Sequence, residues 1–197
     1  MQPLGISMNR TYSIALLTLC MVTSIIQSMQ TEALFDAINK NDLSCVTTLI
    51  KKEPKLANSA SFLGVPPLTF ALNREHMPIA KALIQAGADV NQKFAGETPL
   101  LQAILKKDTQ IVKLLLQKGA NPNDPNTDKN SDGFTPLMLT VAIIRSYAIT
   151  RLLIQAGAKV NYDHRDNRGR SLGAYLRIGS PYWDDQMILK LLEEHGL

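Results

Sequence analysis

The sequence predicts an all-α solenoid, a stack of helix-turn-helix units joined by β-hairpin loops, and three observations carry that expectation. Nearly the same eight residues occur three times, as IQAGADVN from Ile84 to Asn91, LQKGANPN from Leu116 to Asn123 and IQAGAKVN from Ile154 to Asn161. Each copy follows a Pro-Leu turn by twenty or twenty-one residues, from Pro67 to Gly87, Pro99 to Gly119 and Pro136 to Gly157. Between turn and octet lie two apolar runs separated by a polar break. A unit of just over thirty residues is one supersecondary element that cannot bury its apolar face alone, so it must stack on its neighbours.

Each element has a local reason. Proline at the first helical position costs nothing, because its missing N–H has no intrahelical partner there and its φ is already helical. A first helix therefore starts at Pro67, Pro99 and Pro136. In the second unit it carries Leu100, Leu101, Ala103, Ile104 and Leu105. After the polar break Lys106-Lys107-Asp108, a second helix carries Ile111, Val112, Leu114, Leu115 and Leu116 and ends at Gly119. Asn123 and Asp124 then open a turn, since their side chains bond the local backbone.

The motif Gly-x-Thr-Pro-Leu at Gly96 to Leu100 and Gly133 to Leu137, with the downstream Leu-Leu-x-x-Gly-Ala-x-x-Asn element at the matching distance, resembles the ankyrin repeat. That family usually places His after Thr-Pro-Leu. Here the position holds Thr69, Leu101 and Met138, so packing has to pin these turns instead. The expected organisation is a leader at 1–28 and a repeat domain at 29–197. The domain divides into an N-terminal cap at 31–61, repeats at 62–93, 94–125 and 126–163, and a C-terminal cap at 164–197. The caps are degenerate copies, because a terminal repeat turns one face to water. The N-terminal cap has two amphipathic runs, Ala33-Leu34-Ala37-Ile38 and Val46-Leu49-Ile50. In the C-terminal cap, Gly169 to Leu172 replaces the turn and Asp184 or Asp185 is expected to cap the last helix.

The first thirty residues read differently. Arg10 precedes an uncharged apolar stretch from Tyr12 to Ile26, shorter than the roughly 20 residues that span a bilayer. This pattern fits a secretory signal peptide, with Ser28 before the cut and a mature chain starting near Met29. The expected location is therefore the periplasm or the extracellular space, with no membrane span in the mature chain; the alternative is an uncleaved membrane anchor. Loss of the leader leaves Cys45 as the single cysteine, so stability has to come from stacking rather than an internal disulfide.

Charge and motifs narrow the function. The formal net charge is +4, from 21 basic and 17 acidic residues, and no basic run lines one helix face. That is not a nucleic-acid footprint. His76, His164 and His195 fall in different units, and no nucleophile elbow or phosphate-binding glycine loop occurs, so the expectation is a non-catalytic module with no resident cofactor. One loop carries metal chemistry. Asp128, Asn130 and Asp132 followed by Gly133 match the start of a calcium-loop spacing, within a 124–133 finger about five residues longer than its predecessor. Leu139 stands where the closing carboxylate belongs, so any Ca2+ site there is expected to be weak.

What the resemblance implies is recognition of a protein partner through a concave face formed by hairpin fingertips and first helices, by a chain that is monomeric when unbound. The residues placed there are Phe62, Leu63, Asn73, Arg74, Phe94, Glu97, Leu105, Lys106 and Phe134, with Ala142 and Ile143 at the equivalent end of the third first helix. The roles consistent with this are scaffold, inhibitor or protective partner, or an effector or toxin-neutralising protein that blocks an enzyme.

Overall fold

The computed structural model describes residues 10–61, 63–128, 132–160, 165–169, 171–175 and 183–196, with the side chains of 10–18, 173–174 and 183–185 outside the description. The elements are α1 (Arg10–Asn39), α2 (Leu43–Lys52), a 3₁₀ turn (Pro54–Asn58), α3 (Pro67–Asn73), α4 (Met77–Gln85), α5 (Pro99–Leu105), α6 (Thr109–Gln117), α7 (Pro136–Leu139) running into a π turn (Thr140–Ile144), α8 (Tyr147–Gln155), α9 (Leu172–Tyr175) and α10 (Trp183–Glu193). First helices α1, α3, α5 and α7 stack in one layer and second helices α2, α4, α6, α8 and α10 in another. The two layers enclose a single apolar core that runs from Leu34 to Leu192. Burying each of these leucines and isoleucines contributes about 1.5–3 kcal/mol, so a unit's stability lies mostly in the seams with its neighbours.

The helix ends follow from the side chains available. Pro67, Pro99 and Pro136 occupy the first helical turn, and the Thr98 and Thr135 hydroxyls accept hydrogen bonds from the Leu101 and Met138 amides at 3.2 Å. Thr69, Leu101 and Met138, which replace the family's usual His, are all buried. Asp42, Asp108 and Ser146 cap the second helices α2, α6 and α8. Each such cap is worth about 1 kcal/mol. Between first and second helices, Asn41, Glu75 and Lys107 take left-handed backbone at φ 55°, 60° and 56°. The next amide then donates back to Ala37, Ala71 or Ala103, closing the helix end in the same way three times.

The third repeat departs from this pattern by one residue. Its left-handed turn is at Arg145, nine positions after Pro136, whereas Glu75 and Lys107 lie eight after Pro67 and Pro99. The extra residue is absorbed as a π turn, with the Arg145 amide donating to the Thr140 carbonyl at 2.6 Å. Single π turns are the usual way a helix accommodates an insertion without moving its ends. The insertion is the reason for the spacing of twenty-one rather than twenty residues.

Adjacent units are also joined by polar stitches. Asn58 donates to the Gly87 carbonyl at 3.0 Å and accepts from the Asp89 amide at 2.7 Å. Asn91 does the same to Gly119 and Asn121, at 3.0 and 2.8 Å, and Asn123 to Gly157 and Lys159, at 3.0 and 2.7 Å. One amide side chain thus satisfies a carbonyl left open at a helix end and an amide just beyond it.

At the ends the caps differ. Helix α1 runs without a break through residues 28–31, where the leader was expected to give way to the cap. Residues 19–29 are exposed, and Leu34 is the first fully buried side chain among the described residues. Among the described residues no helix is long and apolar enough to cross a membrane. In the C-terminal cap, Arg165 pairs with Ser171 ahead of α9. The Tyr175 hydroxyl donates to the buried Asp166 carboxylate. The last helix begins at Trp183, so Asp184 and Asp185 lie inside its first turn rather than before it, a correction to the expected cap.

Two outcomes follow. Asn91→Ala removes both bonds of one stitch and is expected to cost about 1–2 kcal/mol, lowering the melting temperature by about 2–4 °C per kcal/mol; an unchanged melt would mean the stitch adds nothing. Deleting residues 1–28 removes no described core side chain. Its melting temperature is expected to stay within about 2 °C of the full chain by calorimetry.

Candidate functional site

The face bounded by first helices and fingers is shaped by the second hairpin. Phe94 and Glu97 exchange backbone hydrogen bonds at 3.0 and 3.1 Å across Ala95 and Gly96, which have φ of 50° and 81°. Two left-handed central residues make the tight turn whose twist suits a hairpin. Gly96 has a second reason to lack a side chain: a Cβ there would lie 2.1 Å from the Asp128 backbone nitrogen.

That contact exists because the lengthened third finger folds back onto the second. The Lys93 ammonium pairs with Asp124 at 2.6 Å and donates to the Pro125 carbonyl at 3.3 Å. The Thr127 amide donates to the Gly96 carbonyl at 2.9 Å, and the Asn126 side chain to Glu97 Oε1 at 3.3 Å. The Asn126 amide reaches the Phe134 carbonyl at 2.9 Å. On the far side, Asp132 pairs with Arg168 at 2.7 Å and accepts on its carbonyl from the Asn167 amide, also at 2.7 Å. The five extra residues thus brace three successive fingers.

Two of the three expected calcium ligands, Asp128 and Asp132, belong to this brace. The Asp128 amide donates to Asn126 Oδ1 at 2.9 Å, and Asp132 faces Arg168. Asn130 lies outside the described residues. Among the described residues no group of three or more His, Cys, Asp or Glu side chains is placed to hold a metal ion.

The expected contact residues separate into three kinds. Leu63, Leu105 and Ile143 are exposed, at 69 %, 43 % and 55 % of their surface. Asn73 is exposed. Arg74 lies with its guanidinium 5.1 Å from the Phe70 ring, which packs edge-on against Phe35 at 5.3 Å. Lys106 pairs with Glu75 at 2.6 Å and, by hydrogen bond first and charge second, holds the Glu75 carboxyl below its ordinary pKa. Phe94 and Glu97 are half-buried. Phe134 is not a fingertip: it is 7 % exposed and packs edge-on against Tyr175 at 5.5 Å, sealing the seam with the C-terminal cap. Phe62 lies outside the described residues.

Two clefts open on this face. One of about 520 Å³, between α1 and the first finger, is lined by Phe35, Leu63, Val65 and Phe70. The other, about 280 Å³ between the second and third repeats, has Leu101, Leu105, Leu139 and Ile143 as its floor and Glu97, Asn126, Asp132 and Arg168 around it. Sequence reasoning placed Leu63, Glu97, Leu105, Phe134 and Ile143 here but missed Phe35, Phe70 and Arg168. Phe70 and Arg74 were legible as an i, i+4 pair on one helix face. Arg168 carried no local signal.

Residues 34–126 and 95–166 match the model of the ankyrin repeat family, described as ankyrin repeats in three copies. With two thirds of its length covered, this chain belongs to the ankyrin repeat family. No curated protein matches it. Ankyrin repeats generally mediate protein–protein interaction and are typically non-enzymatic.

The burial contrast predicts unequal mutants. Phe134→Ser is expected to destabilise the fold by about 3–5 kcal/mol, and Phe94→Ser by about 1 kcal/mol or less. Urea unfolding of the two variants side by side tests this, and equal losses would contradict the inward packing of Phe134.

Proposed function

We propose that this chain is an exported protein that binds a protein partner stoichiometrically through the face of first helices and fingers, as a scaffold, inhibitor or protective partner. The observation that carries the reading is where apolar surface is left exposed. Across the three repeats, Leu63, Leu105 and Ile143 all belong to fingers or first helices, while α4, α6 and α8 leave no large apolar side chain exposed among the described residues. Clustered apolar exposure on a structured face marks an interaction site. The brace between fingers supports the reading, because a face that is ordered before binding loses little conformational entropy on association.

Export rests on the leader-like pattern of residues 10–28, and cleavage after Ser28 would leave the described core untouched. The mature chain is then a monomer in the periplasm or outside the cell until it meets its partner.

Crosslinking in the native cells, followed by affinity capture through a C-terminal tag, compares the wild-type chain with a Leu63→Ser, Leu105→Ser, Ile143→Ser variant. All three side chains are exposed, so the variant is expected to keep its melting temperature within about 2–4 °C. The expected result is one protein captured by the wild type and reduced at least tenfold in the variant. Equal capture by both, or none by the wild type, would overturn the reading.

A further inference from the structure

Resting on the reading of this face as the binding face, we infer that the cleft between the second and third repeats is a socket for an arginine side chain presented by the partner. Three cations near the cleft are already matched. Arg168 is paired with Asp132 at 2.7 Å, Lys93 with Asp124 at 2.6 Å and Lys106 with Glu75 at 2.6 Å. Glu97 is different. Its Oε1 accepts a 3.3 Å hydrogen bond from the Asn126 amide, and among the described residues no cation pairs with it. With Asp132 and Arg168 cancelling, the described residues that line the cleft carry one net negative charge in a chain whose formal charge is +4.

The floor beneath that carboxylate is aliphatic. Leu105 and Ile143 both line the cleft with about half their surface exposed. Ile143 belongs to the π turn that absorbs the one-residue insertion of the third repeat, and it stands two residues before the left-handed Arg145 as Leu105 stands before Lys107. A carboxylate at the rim of an aliphatic floor selects an amphipathic cation, whose methylene stem covers the floor while its charged head meets the acid. A purely apolar side chain would strip water from Glu97 without compensation, and an acidic one would be repelled. Arginine suits the site better than lysine, because its guanidinium is weakly hydrated and its planar fork engages a carboxylate through two parallel bonds.

The test uses the full chain with 13C-labelled Leu and Ile methyl groups, titrated at low ionic strength with N-acetyl-arginine amide and with N-acetyl-citrulline amide, a neutral probe of the same shape. Saturable shifts of the Leu105 and Ile143 methyls are expected, with arginine binding about three- to fivefold more tightly than citrulline. Glu97→Gln keeps the acceptor for Asn126, so the methyl spectrum elsewhere should be unchanged while the arginine preference disappears. Equal affinities for the two probes, no shift at these methyls, or a preference that survives Glu97→Gln would each overturn the inference. The result is separable from that of the capture experiment. A partner held equally by wild type and Glu97→Gln would sink the arginine socket and leave the binding face standing. An arginine preference without any captured partner would support the socket and sink the wider reading.

Discussion

One asparagine side chain per unit reaches into the next unit and makes two hydrogen bonds there, and the geometry of the whole stack is registered by that contact. Asn58, Asn91 and Asn123 each satisfy the carbonyl of a glycine that ends a second helix and an amide two residues later. No unit can make this contact within itself, just as no unit can bury its own apolar stripe. Cohesion is therefore a property of the seams. The apolar seam supplies most of the free energy and tolerates sliding, whereas the paired hydrogen bonds are directional and hold adjacent units in one relative position.

The same reliance on neighbours organises the functional face. The longer third finger contributes no secondary structure of its own among the described residues, yet its backbone and side chains engage the second finger at Lys93, Gly96 and Glu97. Asp132 then passes the connection to Arg168 in the C-terminal cap. A loop of this length left free would be the most mobile part of the surface. Folded onto its neighbour, it turns a row of separate fingers into one surface, and its acidic side chains neutralise lysine and arginine. Among the described residues of this face, Glu97 has no cation paired with it and shares a cleft with aliphatic side chains.

Much of the fold was legible because its determinants are local. Prolines at helix starts and the glycine at each second-helix end act within a few residues of where they stand, so spacing was sufficient to place them. Even the π turn left a trace, as a spacing of twenty-one residues where the other two copies have twenty. The site was less legible. Phe134 reads as a fingertip from its position beside Gly133, yet its ring packs edge-on against Tyr175 in the C-terminal cap. Asp128 and Asp132 read as the start of a cation loop from their spacing alone, a signal that carries no information on the pairing of Asp132 with Arg168 in the next unit.

The sequence by itself determined that this chain is an all-α stack of three ankyrin repeats with degenerate caps, since each unit repeats the same turn, caps and apolar spacing. The tertiary structure alone decided which charges are cancelled and which apolar side chains stay exposed. Those outcomes depend on pairs such as Lys93 and Asp124, or Asp132 and Arg168, that are about thirty or more residues apart and meet only because one unit lies on the next. Hydrophobic periodicity reports which face of a helix is buried, but not what a finger touches once the units are stacked.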